Sequence, residues 1–286
     1  RHEVLVKSSF PAAAAPMLRN LENAGNPWGL PAATRLAWTE GLPFDVRVIG
    51  AGEQIPGAVE YLFWVGCAGA SDDRARHTTR AIAQLLHTAG VSFAVLGPRE
   101  TCTGDPARRI GNEFVYQMLA EQNIATLHEV KARKIVASCP HCFNTIGREY
   151  PQLCGDFEVV HHTDYLLGLL AEKKLTPTQE VAGRVVYHDS CYLGRYNGVY
   201  ESPREILKRI PGVELVEAAY WTKQRGLCCG AGGAQMFMEE QNKNRVNVKR
   251  TLQLVDTQAS TIASACPFCM TMLTDGLKSE SLEEDI

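Results

Sequence analysis

"ASCPHCFNTI" at Ala137–Ile146 and "SACPFCMTML" at Ser264–Leu273 set the same Cys-Pro-x-Cys spacing ahead of an apolar, helix-like tail, 127 residues apart. The match continues upstream. Cys67 in "FWVGCAG" answers to Cys191 in "YHDSCYLG" at an offset of 124, and "ETCTGDP" at Glu100–Pro106 answers to "GLCCGAG" at Gly226–Gly232 at an offset of 126. Three landmarks in one order predict an internal repeat. Within a copy, 34 residues separate Cys67 from Cys102 and 36 separate Cys102 from Cys139; 36 also separate Cys191 from Cys228 and Cys229 from Cys266. Each interval suits one helix, one strand and their loops.

The segments between the landmarks read that way. Short apolar runs end just before the cysteines in "AVEYLFWVG", "KIVASC", "GRVVYHDSC" and "TIASAC", and "VSFAVLG" and "VELVEA" are further runs of the same kind. Helical patterns lie between them in "TTRAIAQLLHTAG", in "DPARRIGNEFVYQMLAEQNI", in "SPREILKRI" and across Gln235–Asp256. Apolar strands alternating with helices predict an α/β fold: two pseudo-twofold-related, Rossmann-like halves with mostly parallel sheets and cysteines at the strand ends. The predicted division is an extension over residues 1–57, a first repeat over 58–176 and a second over 184–286. In the extension, "NAGNPWG" reads as turns and "PFDVRVIG" as a strand.

Composition narrows the function. A chain of 286 residues with 45% hydrophobic content can bury a core without disulfides. Its formal charge of -3, with no long single-sign run, gives no electrostatic footprint for nucleic acid. Neither a signal peptide nor a run of 18 apolar residues is visible, and the chain begins at Arg1, so a piece of a longer protein is expected. Ten cysteines, six of them in close pairs, point to a reducing compartment and to metal or redox chemistry.

Soft thiolates suit iron-sulfur clusters or zinc, and not Mg²⁺ or Ca²⁺. Cys67, Cys102, Cys139 and Cys142 are four candidate ligands, enough for a cubane [4Fe-4S] cluster or a tetrahedral zinc. Cys191, Cys228, Cys229, Cys266 and Cys269 are five, one more than either needs. Adjacent cysteines do not readily share one metal atom, but they can grip neighbouring irons of a larger core. Gly226, Gly230, Gly232 and Gly233 would let the backbone approach such a core and offer it N–H groups. No Gly-Lys-Ser/Thr follows "CCGAGG", which sets aside a phosphate loop.

A cysteine, then Cys-Cys-Gly, then Cys-x-x-Cys, at these intervals, resembles the cysteine-rich CCG-domain family of iron-sulfur oxidoreductases, which includes the heterodisulfide reductase catalytic subunit. "YHDSCYLGRYNGVYESPREIL", "CCGAGGAQMFME" and "ACPFCMTML" are most similar to its bacterial branch, fused to membrane and ferredoxin regions and including electron-transfer-flavoprotein:menaquinone oxidoreductases. The resemblance covers about residues 58–281, and "LENAGNPWGL" is similar to the segment following the ferredoxin domain. It implies a noncubane [4Fe-4S] cluster on Cys191, Cys228, Cys229, Cys266 and Cys269. In the first half Thr103 stands where the second cysteine of the pair would be, which favours a cubane cluster on Cys67, Cys102, Cys139 and Cys142. It further implies a reduced electron-transfer flavoprotein or other flavin dehydrogenase as donor, and menaquinone as acceptor through membrane and ferredoxin-type domains of a parent protein at the cytoplasmic face. The alternatives are a cluster-based disulfide reductase and a zinc-stabilised structural domain.

The five-cysteine half is the expected centre of chemistry, at Cys228 and Cys229. His188 and Asp189 precede Cys191 closely enough to donate to a thiolate or move a proton. Cys154 has no repeat counterpart and reads as a buried small hydrophobe; His161 and His162 read as loop or capping residues. Lys243, Arg245, Lys249 and Arg250 read as a solvated helix face or a docking patch.

Overall fold

The computed structural model describes residues 9–240, 242 and 244–283; Lys243 and the first eight residues of the extension lie outside them. The chain divides into two compact units, Arg1–His162 and Thr163–Ile286.

In the first unit, β1 (Arg47–Val48), β2 (Tyr61–Trp64), β3 (Phe93–Val95), β4 (Lys134–Ala137) and β5 (Glu158–His161) form one sheet in the order β1-β3-β2-β4-β5. Every pairing is parallel. Parallel strands have helices on both faces and so read as unbroken apolar runs. Leu62, Phe63, Trp64, Ile135, Val136 and Ala137 are all buried. The register Leu62↔Ile135, Phe63↔Val136, Trp64↔Ala137 brings the C-terminal ends of β2 and β4 level, and Cys67 and Cys139 lie just beyond those ends. The extension contributes β1 as an edge strand, the helix Ala15–Ala24 and a 3₁₀ stretch at Ala32–Thr39.

The second unit carries β6 (Gly183–His188), β7 (Val213–Val216) and β8 (Thr261–Ser264) in the order β7-β6-β8, again all parallel. Val186, Leu254, Ala259 and Leu273 form its core cluster, with Val216 and Ile262 packed against it. The order β7-β6-β8 reproduces β3-β2-β4, and each pair of corresponding strands leads into corresponding cysteines. The two units therefore share one three-strand topology, which β1 and β5 widen in the first.

Two expected helices are broken. The run expected from Asp105 is two helices, Asp105–Ile110 and Glu113–Glu129. Gly111 adopts φ +99°, and the Asn112 side chain accepts from the Val115 N–H at 3.1 Å to cap the second helix. Over the helix expected at Gln235–Asp256 the described residues form a single 3₁₀ turn, Gln235–Phe237, and a separate helix, Val246–Val255. The intervening stretch is rich in Glu and Asn with no apolar face to bury, and short helices depend on such a face. No helix among the described residues is long and apolar enough to cross a membrane.

Candidate functional site

In the second unit, β6 ends at His188, and the chain continues through Asp189 and Ser190 to Cys191. Cys228 and Cys229 sit in the loop after β7. Cys266 precedes the helix Pro267–Ser279, whose first turn carries Cys269; Pro267, lacking an N–H, suits the first helical position. Cys229, Cys266 and Cys269 are buried, and Cys191 and Cys228 are partly exposed.

The five sulfurs are linked by one run of side-chain hydrogen bonds, from Cys191 to Cys228, Cys229, Cys269 and Cys266. Bonds from Cys191 and Cys229 hold the Cys228 thiol far below its ordinary value despite burial, and the Gly230 N–H donates to its sulfur at 3.3 Å. Their bonds to Cys228, together with burial, push Cys191 and Cys229 up, and bonds with Cys229 and Cys266, together with burial, push Cys269 up. The set thus favours a thiolate at Cys228 while opposing others nearby. A multinuclear iron core would let all five ionise by supplying the positive charge the protein withholds, so this donor set fits the cluster. Gly230 has φ +93°, a conformation costly for any side chain. Gly232 and Gly233 have open space around them, and Gly226 closes a turn on the Lys223 carbonyl.

His188 is fully buried. One of its ring nitrogens lies within 4.8 Å of the sulfurs of Cys229 and Cys269, which lie equally close to each other. Burial, then the nearby Arg250 cation, lowers its pKa to about 4, so the ring is neutral at pH 7. Asp189 faces elsewhere. Arg204 grips it with both terminal nitrogens, at 2.7 and 2.9 Å, and the Lys223 N–H donates to it at 2.7 Å. Burial alone would raise the Asp189 carboxyl, but these partners hold it below the usual range. Arg204 also binds Glu217. Asp189 therefore ties Arg204 and the Lys223 turn to the end of β6, on the approach to Cys228. The second unit also holds a cavity of about 310 Å³ whose walls include Met236, Phe237, Met238, Arg245, Asp275 and Met272, which lies three residues after Cys269 in the chain.

In the first unit, Cys67, Cys102, Cys139 and Cys142 are all buried. A hydrogen bond from Cys102 is the largest influence lowering Cys67 and raising Cys102. Cys142 approaches the backbone closely: a Cβ on Gly66, which has φ +77°, would lie 3.3 Å from its sulfur. Thr103 is buried, and its carbonyl accepts from the Tyr150 hydroxyl at 3.3 Å. The Cys67 turn is fixed by Glu100, which accepts from the N–H groups of Val65 at 3.2 Å and Gly66 at 2.7 Å and pairs with Arg35 from the extension. Burial raises the Glu100 carboxyl despite these partners. Asp105 links the Cys102 loop to the Cys-Pro-His-Cys turn, bonding His141 at 2.8 Å and Arg109 at 2.8 Å. Burial opposes the Asp105 charge, but His141 and Arg109 outweigh it and lower the pKa.

Sequence reasoning missed Arg35, Glu100, Asp105, His141, Arg204 and Arg250 as parts of the two sites. Glu100 and Asp105 flank "TCTG" inside one of the repeated landmarks, and His141 lies between two expected ligands, so proximity could have flagged them. Arg250 was expected on a solvated face and is instead fully buried, because its side chain turns inward to His188; Lys249 is exposed. Cys154 is exposed, with φ +61°, and so is not the buried hydrophobe expected. His161 ends β5 and His162 begins the helix His162–Ala171; both are buried, their rings 4.2 Å apart.

A family model described as "Cysteine-rich domain" (CCG) matches residues 61–147 and 185–274. The "Probable iron-sulfur-binding oxidoreductase FadF" of Bacillus subtilis is 44% identical over 287 residues, covering 100% of this chain and 41% of that protein. The "EtfAB:quinone oxidoreductase" of Syntrophomonas wolfei is 40% identical, over 99% of this chain and 40% of that protein. A component of the dihydromethanophenazine:CoB--CoM heterodisulfide reductase of Methanosarcina barkeri is 33% identical, over 91% of this chain and 63% of that component. The chain thus spans about two-fifths of the length of the first two relatives.

Proposed function

The chain belongs to the cysteine-rich CCG domain family, and from that premise we propose that it is the cluster-bearing part of an iron-sulfur oxidoreductase, passing electrons from a reduced flavoprotein toward a membrane quinone. The observation that carries this reading is the unbroken run of five thiols in the second unit, one more than zinc or a cubane cluster requires. In this reading Cys191, Cys228, Cys229, Cys266 and Cys269 hold a noncubane [4Fe-4S] cluster, and Cys67, Cys102, Cys139 and Cys142 hold a cubane one. Such groups, when bound, supply one-electron transfer at potentials set by their surroundings.

The chain's own residues set those surroundings. The Gly230 N–H stabilises negative charge at Cys228, His188 stands beside Cys229 and Cys269, and the Asp189–Arg204 pair keeps the loop before Cys228 in place. Glu100 and Arg35 do the same for the turn before Cys67. Similarity to an EtfAB:quinone oxidoreductase supports an electron-transfer flavoprotein as donor and a quinone as acceptor, and menaquinone is the quinone assigned in this reading. Membrane and ferredoxin-type regions at the cytoplasmic face would belong to a longer parent protein.

A second reading, reductive cleavage of a small disulfide, draws on the similarity to a heterodisulfide reductase component and on the cavity beside Met272. Two electrons and two protons would convert the disulfide to two thiols. The test of both is anaerobic purification followed by iron, acid-labile sulfide and Mössbauer measurement. Iron and sulfide in both units, with a non-cubane signature lost in Cys229→Ser, support ligation as assigned. Zinc at both sites under iron-replete anaerobic expression overturns it. Flavoprotein-dependent quinone reduction by the parent protein that survives loss of the second cluster overturns the relay. Disulfide reduction that disappears with the same cluster selects the second reading.

A further inference from the structure

Arg250 lies on the helix Val246–Val255 and is 0% exposed, an unusual place for a guanidinium. Its Nε–H donates to His188 Nδ1 at 3.0 Å, and a terminal nitrogen donates to the Trp221 carbonyl at 3.0 Å. The helix that carries it is tied to the Cys269 helix: the Asn247 amide donates to the Met272 carbonyl at 3.1 Å and the Thr251 hydroxyl to the Leu273 carbonyl at 3.4 Å. Arg250 is thereby fixed relative to Cys269.

A guanidinium only donates, so the nitrogen that receives its hydrogen bond carries no proton. A neutral imidazole then bears its single proton on the other nitrogen. His188 Nε2 is buried and has no hydrogen-bond partner. Its ring stands among the sulfurs of Cys229 and Cys269. A buried N–H with nothing to donate to is costly, and an anionic sulfur beside it would relieve that cost.

We propose that Arg250 is a positioning residue for the second cysteine set, holding His188 as the Nε2–H tautomer so that the imidazole offers a neutral donor to the sulfurs of Cys229 and Cys269. This rests on the reading of those cysteines as cluster ligands. An electron added to the cluster increases negative charge on its sulfurs and strengthens an N–H bond to them, so the donor favours the reduced state. Arg250 acts through His188, and the electron itself comes from an external reductant.

The test is an EPR-monitored redox titration of the anaerobically isolated chain, with iron and sulfide content measured alongside. Arg250→Lys, which keeps a charge but has no Nε–H, is expected to retain the cluster. It should lower the midpoint potential by 59 mV or more, a tenfold change in the reduced-to-oxidised ratio for one electron. His188→Gln should also shift the potential, and Arg250→Lys should add nothing in that background. Equal shifts by Arg250→Lys in both backgrounds, or none in either, overturn the proposal. If Arg250→Lys fails to hold the cluster, the pulsed-EPR coupling to ¹⁵N-labelled histidine decides: its loss in His188→Gln supports a histidine donor, and its persistence overturns one. If the wild-type chain holds no iron, the ligand reading has failed separately. The tautomer is then read by imidazole ¹⁵N shifts of the metal-free chain, where a protonated His188 Nδ1 overturns the proposal and an unprotonated one supports it.

Discussion

Cys228 and Cys229 are covalent neighbours with opposite acid strengths, the first held low and the second pushed up. Cys228 receives bonds from two thiols and the Gly230 N–H, whereas the proton of Cys229 is spent on Cys228. Such a contrast arises when thiols crowd without a counter-charge, and it makes the set responsive to metal. In the first unit Cys102 has the corresponding place, between Cys67 and the turn bearing Cys142, with Thr103 beside it. Cys102→Ser should remove or greatly weaken the first centre while leaving the second-unit spectrum intact, lowering bound iron by about half if both clusters are of the four-iron type. Iron analysis with Mössbauer spectra checks this; loss of both signals from a folded protein would contradict it. Arg204 is the other residue with large leverage. It is buried against Asp189 and bonded to Glu217. Arg204→Met leaves a buried carboxylate without its partner and should cost about 3–5 kcal/mol in urea unfolding.

The strand-and-cysteine rhythm was legible because each strand is a short apolar run and each site begins where that run stops. The repeat offsets correctly suggested two sheets of similar topology, and strand order β3-β2-β4 is matched by β7-β6-β8. The breaks at Gly111 and after Phe237 were not legible. In the first, helical composition continues across a glycine that could have been tolerated; in the second, apolar residues flank a polar stretch, and only packing decides where the helix begins. The inward turn of Arg250 was illegible for a related reason: a basic residue at helical spacing reads as solvent-facing until its buried acceptor, His188, is known. Glycine in "CCGAGG" was legible as backbone freedom but not as to which position needs it. Gly230 carries φ +93° with Met272 Cε and the Val246 Cβ each 3.5 Å from a would-be Cβ, whereas Gly232 has open space. Gly230→Ala should therefore cost about 1–3 kcal/mol through backbone strain and weaken iron retention in the second unit. Gly232→Ala should leave both nearly unchanged, and thermal unfolding with iron analysis of the two variants separates them.

The carboxylates around the two sites do not all share one sign of pH linkage. In the second unit Asp189 and Glu217 are both held below their ordinary pKa by Arg204 and its neighbours, against the pull of burial. A carboxyl with a depressed folded pKa contributes stability in full above its unfolded value, about 4, and loses it as pH falls through the folded value. Both groups therefore make the second unit weaker in acid. In the first unit Asp105 behaves the same way, but Glu100 does not. Its folded pKa is raised by burial, so its contribution is full below the unfolded value and is lost as pH rises through the folded one. Asp105 and Glu100 thus oppose each other. Between pH 6 and pH 3, residues 163–283 should lose hydrogen-exchange protection more steeply than residues 9–162, with metal held constant. Asp189→Asn should lessen the acid loss of the second unit, leaving the contributions of Glu217 and His188, and Asp105→Asn should shift the first unit toward the opposite dependence of Glu100. A first unit that weakens in acid as steeply as the second would show that the Glu100 carboxyl, despite its burial, is held ionised by Arg35 and the two N–H groups it receives.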